Sequence, residues 1–112
     1  LDELQRPAEN LPAPPDAFEV RRDPHERSHF LAATPRGLER SLDGGSSWQA
    51  ADGGLGREWI RSVAFHPKRR GWAFALRGQR VFWTRDGGQQ WFWLPAQESL
   101  RSRFRKLEVR AA

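Results

Sequence analysis

Residues 41–48 read SLDGGSSW and residues 84–91 read TRDGGQQW. Each phrase opens on a hydroxyl residue (Ser41, Thr84) and places an aspartate two positions on (Asp43, Asp86). A Gly-Gly pair follows, and each phrase closes on tryptophan (Trp48, Trp91). The two aspartates are 43 residues apart, and so are the two tryptophans. The same interval separates Val20 from Val63, Pro24 from Pro67, Leu31 from Phe74, Ala32 from Ala75 and Leu38 from Val81. A fixed period of this size spanning apolar, proline and turn positions marks a repeat fold in which each period is one supersecondary unit.

Within one period the pattern is four short apolar runs separated by turn residues. AFEVRR ends at Asp23-Pro24, HFLAAT ends at Pro35-Arg36-Gly37, LERS runs into the first DGG turn, and SSWQAA follows it. In the second period WIRSVAF ends at His66-Pro67, WAFAL at Arg77-Gly78, QRVFWT at the second DGG turn, and QQWFWL follows. Such spacing predicts an antiparallel meander. Alternation is weak in WAFAL and RVFWT, so both faces of the sheet are apolar and each must be covered by a neighbour, as in a propeller blade. The predicted fold is all-β, with two antiparallel four-stranded β-propeller blades and the first strand of a third. The third rests on FRKLEV at 104–109, which aligns with IRSVAF at 60–65. The expected divisions are a Pro-rich linker or arm at 1–16, a blade at 17–50, a loop at 51–59, a blade at 60–94, and a linker with the further strand at 95–112. Propellers close with about four to eight blades. The expected partners are therefore further blades, from the same parent chain or from homo-oligomer copies.

Of the 112 residues, 38% are hydrophobic and 12% aromatic, with six Trp and no Tyr. That aromatic content argues against a disordered chain. No apolar run approaches the roughly 20 residues of a membrane-spanning helix. Without Met, the chain is expected to be a processed product or a piece of a longer one. Without Cys, it holds no disulfide and no thiolate metal site. The net charge of +5 is mostly arginine spread along the chain, which reads as a solvated basic surface and not as a polyanion-binding tail.

The turn phrase is explained by local chemistry. A turn aspartate accepts backbone N–H groups of its own turn, glycine supplies positive φ, and a neighbouring hydroxyl adds a bond. The tryptophan packs its indole under the turn and seeks a polar partner for its N–H. This phrase resembles the Asp-box, or BNR repeat, Ser/Thr-x-Asp-x-Gly-x-Thr/Ser-Trp. Ser41, Asp43, Gly45, Ser47 and Trp48 match it fully; Thr84, Asp86, Gly88 and Trp91 match, while Gln90 replaces the second hydroxyl residue. The resemblance covers roughly residues 17–94. It implies a propeller of the kind found in sialidases, sortilin-type receptors, xyloglucan-cleaving glycosidases and photosystem II assembly factors. It also implies boxes on the rim, away from the central site, and it favours a secreted or periplasmic setting while leaving the compartment open.

No catalytic residue is expected. A sialidase of that family uses a Tyr nucleophile, and this chain has no Tyr. Glycoside hydrolysis needs two carboxyl groups at a set separation. Asp43 and Asp86 are engaged by their turns, and Glu19, Glu39, Glu58 and Glu108 sit in no recognisable catalytic setting. The alternative is a piece of a glycoside hydrolase whose catalytic residues lie elsewhere. His25, His29 and His66 show no ligand spacing, so neither metal nor cofactor is expected. A second alternative is a nucleic-acid surface using Lys68, Arg69, Arg70, Arg101, Arg103, Arg105 and Lys106. It is not preferred, because the nearby aromatics are wanted for blade packing. The favoured reading is a non-catalytic binding or assembly scaffold for a protein or glycan. Arg57, Trp59 and Arg61, in and after the turn-rich stretch ADGGLGREW, are the candidate contact residues, since Trp and Arg are enriched at binding hot spots.

Overall fold

A computed structural model describes residues 13–95. Eight strands follow in chain order: β1 Glu19–Arg22, β2 Phe30–Thr34, β3 Gly37–Ser41, β4 Gln49–Ala50, β5 Ser62–Phe65, β6 Ala73–Arg77, β7 Arg80–Thr84 and β8 Phe92–Leu94. They form two four-stranded sheets, β1-β2-β3-β4 and β5-β6-β7-β8. Every pairing is antiparallel between sequence neighbours. These are two propeller blades, each with its DGG turn between the third and fourth strands, as the sequence predicts. The strand expected in FRKLEV and most of the expected N-terminal arm lie outside the described residues. Of the arm, residues 13–16 are described: the Pro14 carbonyl accepts the Ala17 N–H at 3.1 Å, and Asp16 pairs with Arg36.

Strand register explains the apolar pattern. Ala33 pairs with Leu38 in the first blade and Ala75 with Phe82 in the second, so each pair shares a face. Leu31, Ala33 and Leu38 of the first blade join Val63, Phe65, Ala73, Ala75, Phe82 and Trp91 of the second in one buried cluster. Leu55 and Ile60, from the connection between blades, fill its edge. The alternate positions of the second blade, Ala64, Leu76 and Val81 with Phe74 against them, form a second cluster on its other face. Trp72, Trp83 and Phe92 continue that face as an aromatic ladder, with centroid spacings of 5.0 and 5.5 Å. Phe92 and Leu94 at its margin are exposed.

Two polar links join the blades at their innermost strands. The Glu19 carboxylate accepts the Ser62 hydroxyl at 2.9 Å and the Val63 N–H at 3.2 Å. At the outer edge, the connection after β4 runs beside the start of β8, where Trp91 N–H donates to the Gly53 carbonyl at 2.8 Å. The approach is so close that a Cβ on Gly54, whose φ is +85°, would stand 2.4 Å from the Trp91 carbonyl oxygen. Gly44 in the first DGG turn has a similar φ of +76° but nothing within 4 Å of its would-be Cβ.

These two glycines separate backbone strain from inter-blade contact. Gly44→Ala carries the left-handed cost alone, about 1–2 kcal/mol. Gly54→Ala adds overpacking, about 1–3 kcal/mol more. Urea melts of the two variants are expected to rank Gly54→Ala as clearly more destabilised; equal losses would mean that the close approach plays no part in stability.

Candidate functional site

The two DGG turns are closed by near-identical networks. In the first, the Ser41 hydroxyl donates to Asp43 Oδ1 at 2.7 Å and accepts the N–H groups of Asp43 (3.3 Å) and Gly45 (2.8 Å). Asp43 also accepts the Ser47 N–H on Oδ1 at 2.9 Å and the Ser47 hydroxyl on Oδ2 at 2.6 Å. In the second, Thr84 plays the part of Ser41, donating to Asp86 Oδ1 at 2.7 Å and accepting the N–H groups of Asp86 and Gly88 at 3.3 and 3.2 Å. Asp86 Oδ1 accepts the N–H groups of Gln89 and Gln90 at 3.0 and 3.1 Å. Gln90 has no hydroxyl, so the side-chain bond that Ser47 makes has no counterpart here among the described residues. Trp91 is buried and donates its indole N–H to the carbonyls of Ala51 (2.8 Å) and Gly88 (3.0 Å). It thereby ties the second turn to the end of the first blade. Trp48 is half-buried.

These bonds lower the aspartate pKa values. The Ser47 hydroxyl, then the Ser41 hydroxyl and the Ser47 N–H, stabilise the charged form of Asp43 and bring it from 3.8 to about 2. Burial pushes Asp86 up, but the Thr84 hydroxyl and the Gln90 and Gln89 N–H groups outweigh it, and the net direction is below the ordinary value.

In an antiparallel meander successive turns alternate between two rims. The DGG turns share one rim with the β1–β2 and β5–β6 turns. The latter two are capped at equivalent positions by different residues. Asp23 Oδ1 accepts the His25 N–H at 2.7 Å, and His66 Nδ1 accepts the N–H groups of Lys68 and Arg69 at 3.0 and 3.1 Å. Asp23 Oδ2 also lies 2.9 Å from His29 Nδ1, both side chains buried. The three histidines are thus spread over two turns, and among the described residues no group of three His, Cys, Asp or Glu is placed to hold a metal.

The opposite rim carries the stretch leading into β5 and the β6–β7 hairpin, and between them lies an open groove of about 490 Å³. Glu58, Trp59 and Arg61 line one side; Arg77 to Arg80 line the other. Trp59 is 58% exposed. Its indole stacks on Phe18 of the first blade with centroids 5.3 Å apart and planes 15° apart. One face is thereby backed and held flat. Arg61 is exposed, and its guanidinium makes no hydrogen bond or ion pair among the described residues. Arg80 lies over the Trp93 ring at 5.1 Å. Arg77 is held more firmly: it donates to the Leu55 carbonyl, covers the Phe82 ring at 4.6 Å and sits 3.9 Å from Glu58.

Of the three residues singled out from sequence, Trp59 and Arg61 line this groove and Arg57 does not. Arg57 is drawn away by Asp52 (3.0 Å) and Glu39 (3.5 Å). Phe18, Arg77, Gln79 and Arg80 were not singled out. An Arg-Gly-Gln-Arg hairpin reads as an ordinary turn; pairing of β5 with β6 brings it opposite Trp59, and docking of the blades adds Phe18. Among the glutamates considered for catalysis, Glu19 is engaged by Ser62 and Glu39 by Arg36 and Arg57, Glu58 lines the groove, and Glu108 lies outside the described residues.

A carboxylate whose folded pKa is depressed contributes stability that is present above its unfolded value and lost as pH falls through its folded value. For Asp43 that window runs from roughly pH 4 to about pH 2. Asp43→Asn is expected to flatten the acid limb of the stability–pH curve across this window. Asp43→Ala is expected to lower stability at neutral pH through loss of the turn bonds to Ser41 and Ser47. Denaturant melts at stepped pH check both; an unchanged acid limb in Asp43→Asn would remove the turn carboxylate as its source.

No family model matches the chain. A segment of 57 residues, 48% of the chain, is 39% identical to vacuolar protein sorting/targeting protein 10 from two strains of Aspergillus fumigatus. The structure is similar to that of an ancestral GH74 enzyme with a TM-score of 0.61 and 22% sequence identity over 70% of the chain. The chain spans 4% of the length of those curated relatives and 12% of the GH74 chain. At that identity the structural likeness is one of fold, and it agrees with the two-blade architecture.

Proposed function

We propose that this chain is a pair of Asp-box propeller blades acting as a non-catalytic binding scaffold, and that the groove between the β5 entry and the β6–β7 hairpin receives a protein or glycan partner. The observation that carries this reading is the exposed, flat-backed indole of Trp59 beside the uncommitted guanidinium of Arg61. An aromatic platform with polar groups converging beside it is the usual make-up of a ligand site. The Asp-box aspartates lie on the other rim, saturated by their own turns, and serve the fold. Hydrolysis of a glycosidic bond calls for a second carboxyl group, and Glu58 is alone in that capacity among the described groove residues. The likeness to a sorting protein and to an enzyme of the same fold is compatible with a recognition surface in a larger propeller.

The scaffold reading extends to assembly. The Trp72–Trp83–Phe92 ladder and Leu76–Val81 occupy the positions on the second blade that His29, Arg40, Gln49, Ala33 and Leu38 occupy on the face of the first that meets its neighbour. A further blade of the same repeat is the occupant this face suits, supplied by a longer parent chain or by another copy. The isolated 112-residue chain is then expected to self-associate at micromolar concentration in light scattering, and Trp83→Glu to shift it toward monomer. A wild-type chain that stays monomeric would overturn the assembly part.

For the groove, Trp59→Ala and Arg61→Ala are expected to abolish binding to glycan and peptide arrays, Arg61→Ala with the melting midpoint unchanged and Trp59→Ala with a modest drop from the lost Phe18 stack, while Asp43→Ala lowers the midpoint and leaves the folded fraction able to bind. Release of a cleaved glycan, or array binding that ignores both groove variants, would overturn the reading.

A further inference from the structure

The groove is chemically lopsided in a way that narrows its ligand. Three guanidinium groups, Arg61, Arg77 and Arg80, face one carboxylate, Glu58. Arg77 shares its charge with Glu58 at 3.9 Å and is spent further on the Leu55 carbonyl. Arg61 and Arg80 carry no carboxylate partner among the described residues, so the groove presents unneutralised positive charge. Arginine recognises carboxylates and phosphates through its planar fork of donors, which points to an anion.

The rest of the lining selects among anions. Glu58 is largely exposed, with its side chain 67% accessible, and Gln79 adds an amide beside it. A carboxylate accepts only, while an amide both donates and accepts. Together they suit a ligand rich in hydroxyl groups. A run of phosphodiesters would meet repulsion at Glu58 and leave it without donors. The open face of Trp59, opposite the one that Phe18 backs, offers a flat apolar plate against which a ring can lie, and its N–H edge stays available to a polar group. Ring, hydroxyls and carboxylate in one ligand describe an acidic sugar.

Resting on the scaffold reading above, we infer that the groove binds an oligosaccharide bearing carboxylates, a uronate-type glycan: one pyranose ring stacks on Trp59, Arg61 and Arg80 take the carboxylates, and Glu58 with Gln79 takes the hydroxyls. Because Arg61 and Arg80 are exposed, the ionic share of the affinity is screened by salt, while the stacking share persists.

The test uses the full chain and a short oligogalacturonate, with its fully methyl-esterified form as the uncharged twin of the same shape. Calorimetry is expected to give binding to the acid form at least about tenfold tighter than to the ester, a gap of about 1.4 kcal/mol. Raising the salt is expected to narrow that gap. Arg61→Gln is expected to bring acid and ester to similar affinity, and Trp59→Ala to weaken both; a melt of each variant confirms that it is folded. Acid and ester binding alike, with both dependent on Trp59, would overturn the anionic inference and leave the scaffold reading standing. Tighter binding of poly-glutamate or single-stranded RNA than of the uronate would overturn the sugar assignment. Failure of the uronate to bind at all would overturn the inference, and silence across the glycan and peptide arrays as well would remove the scaffold reading with it.

Discussion

One face of the first sheet and both faces of the second are apolar, and the rest of the architecture answers to that constraint. An apolar sheet face in water is costly at about 25 cal/mol per Å², so the first blade must lie against the second. Leu31, Ala33 and Leu38 meet Val63, Phe65, Ala73, Ala75 and Phe82. Small residues at Ala33, Ala73 and Ala75 leave room for the larger Leu31, Phe65 and Phe82, alternating bulk across the interface. Once the sheets are stacked, the connection between them has little freedom. Leu55 and Ile60 are drawn into the same core, and Gly53 and Gly54 let the chain run against the start of β8.

The DGG turns serve this stacking as well as their own blades. Trp91 is buried under its turn, yet one of its two indole N–H acceptors belongs to the first blade's exit, at Ala51. Gly88 sits beside Leu31: a Cβ there would stand 3.2 Å from Leu31 Cδ2. The second turn is thus part of the inter-blade contact, while the first is more exposed and closes chiefly on itself through Ser41, Asp43 and Ser47. The same phrase therefore answers to different surroundings in the two blades. Its chemistry draws Asp43 and Asp86 into hydrogen bonds with their own turns, and the groove with its unpaired arginine lies on the other rim. The turn networks and the groove are separated by the length of the strands between the two rims.

The repeat, the strand order and the turn networks were legible because they depend on near neighbours. A hydroxyl, an aspartate and a glycine pair within a few residues close their own turn, and apolar runs of four or five residues between turn residues make strands whatever lies beyond them. The fate of Arg57 was not legible. It stands two residues from Trp59, but Asp52 and Glu39 hold it outside the groove. Trp59 itself could have been no more than the entry to β5; its meaning comes from Phe18, on the other blade.

By itself, then, the sequence determined a 43-residue period, two all-β blades and the local bonding of their turns, since each follows from residue types at short separation. Tertiary structure decided which groups share the groove. Arg61 and Arg80 come together through strand pairing inside the second blade, but Trp59 meets Phe18 only because one sheet stacks on another, a long-range packing of apolar faces that no local pattern of charge or turn residues encodes.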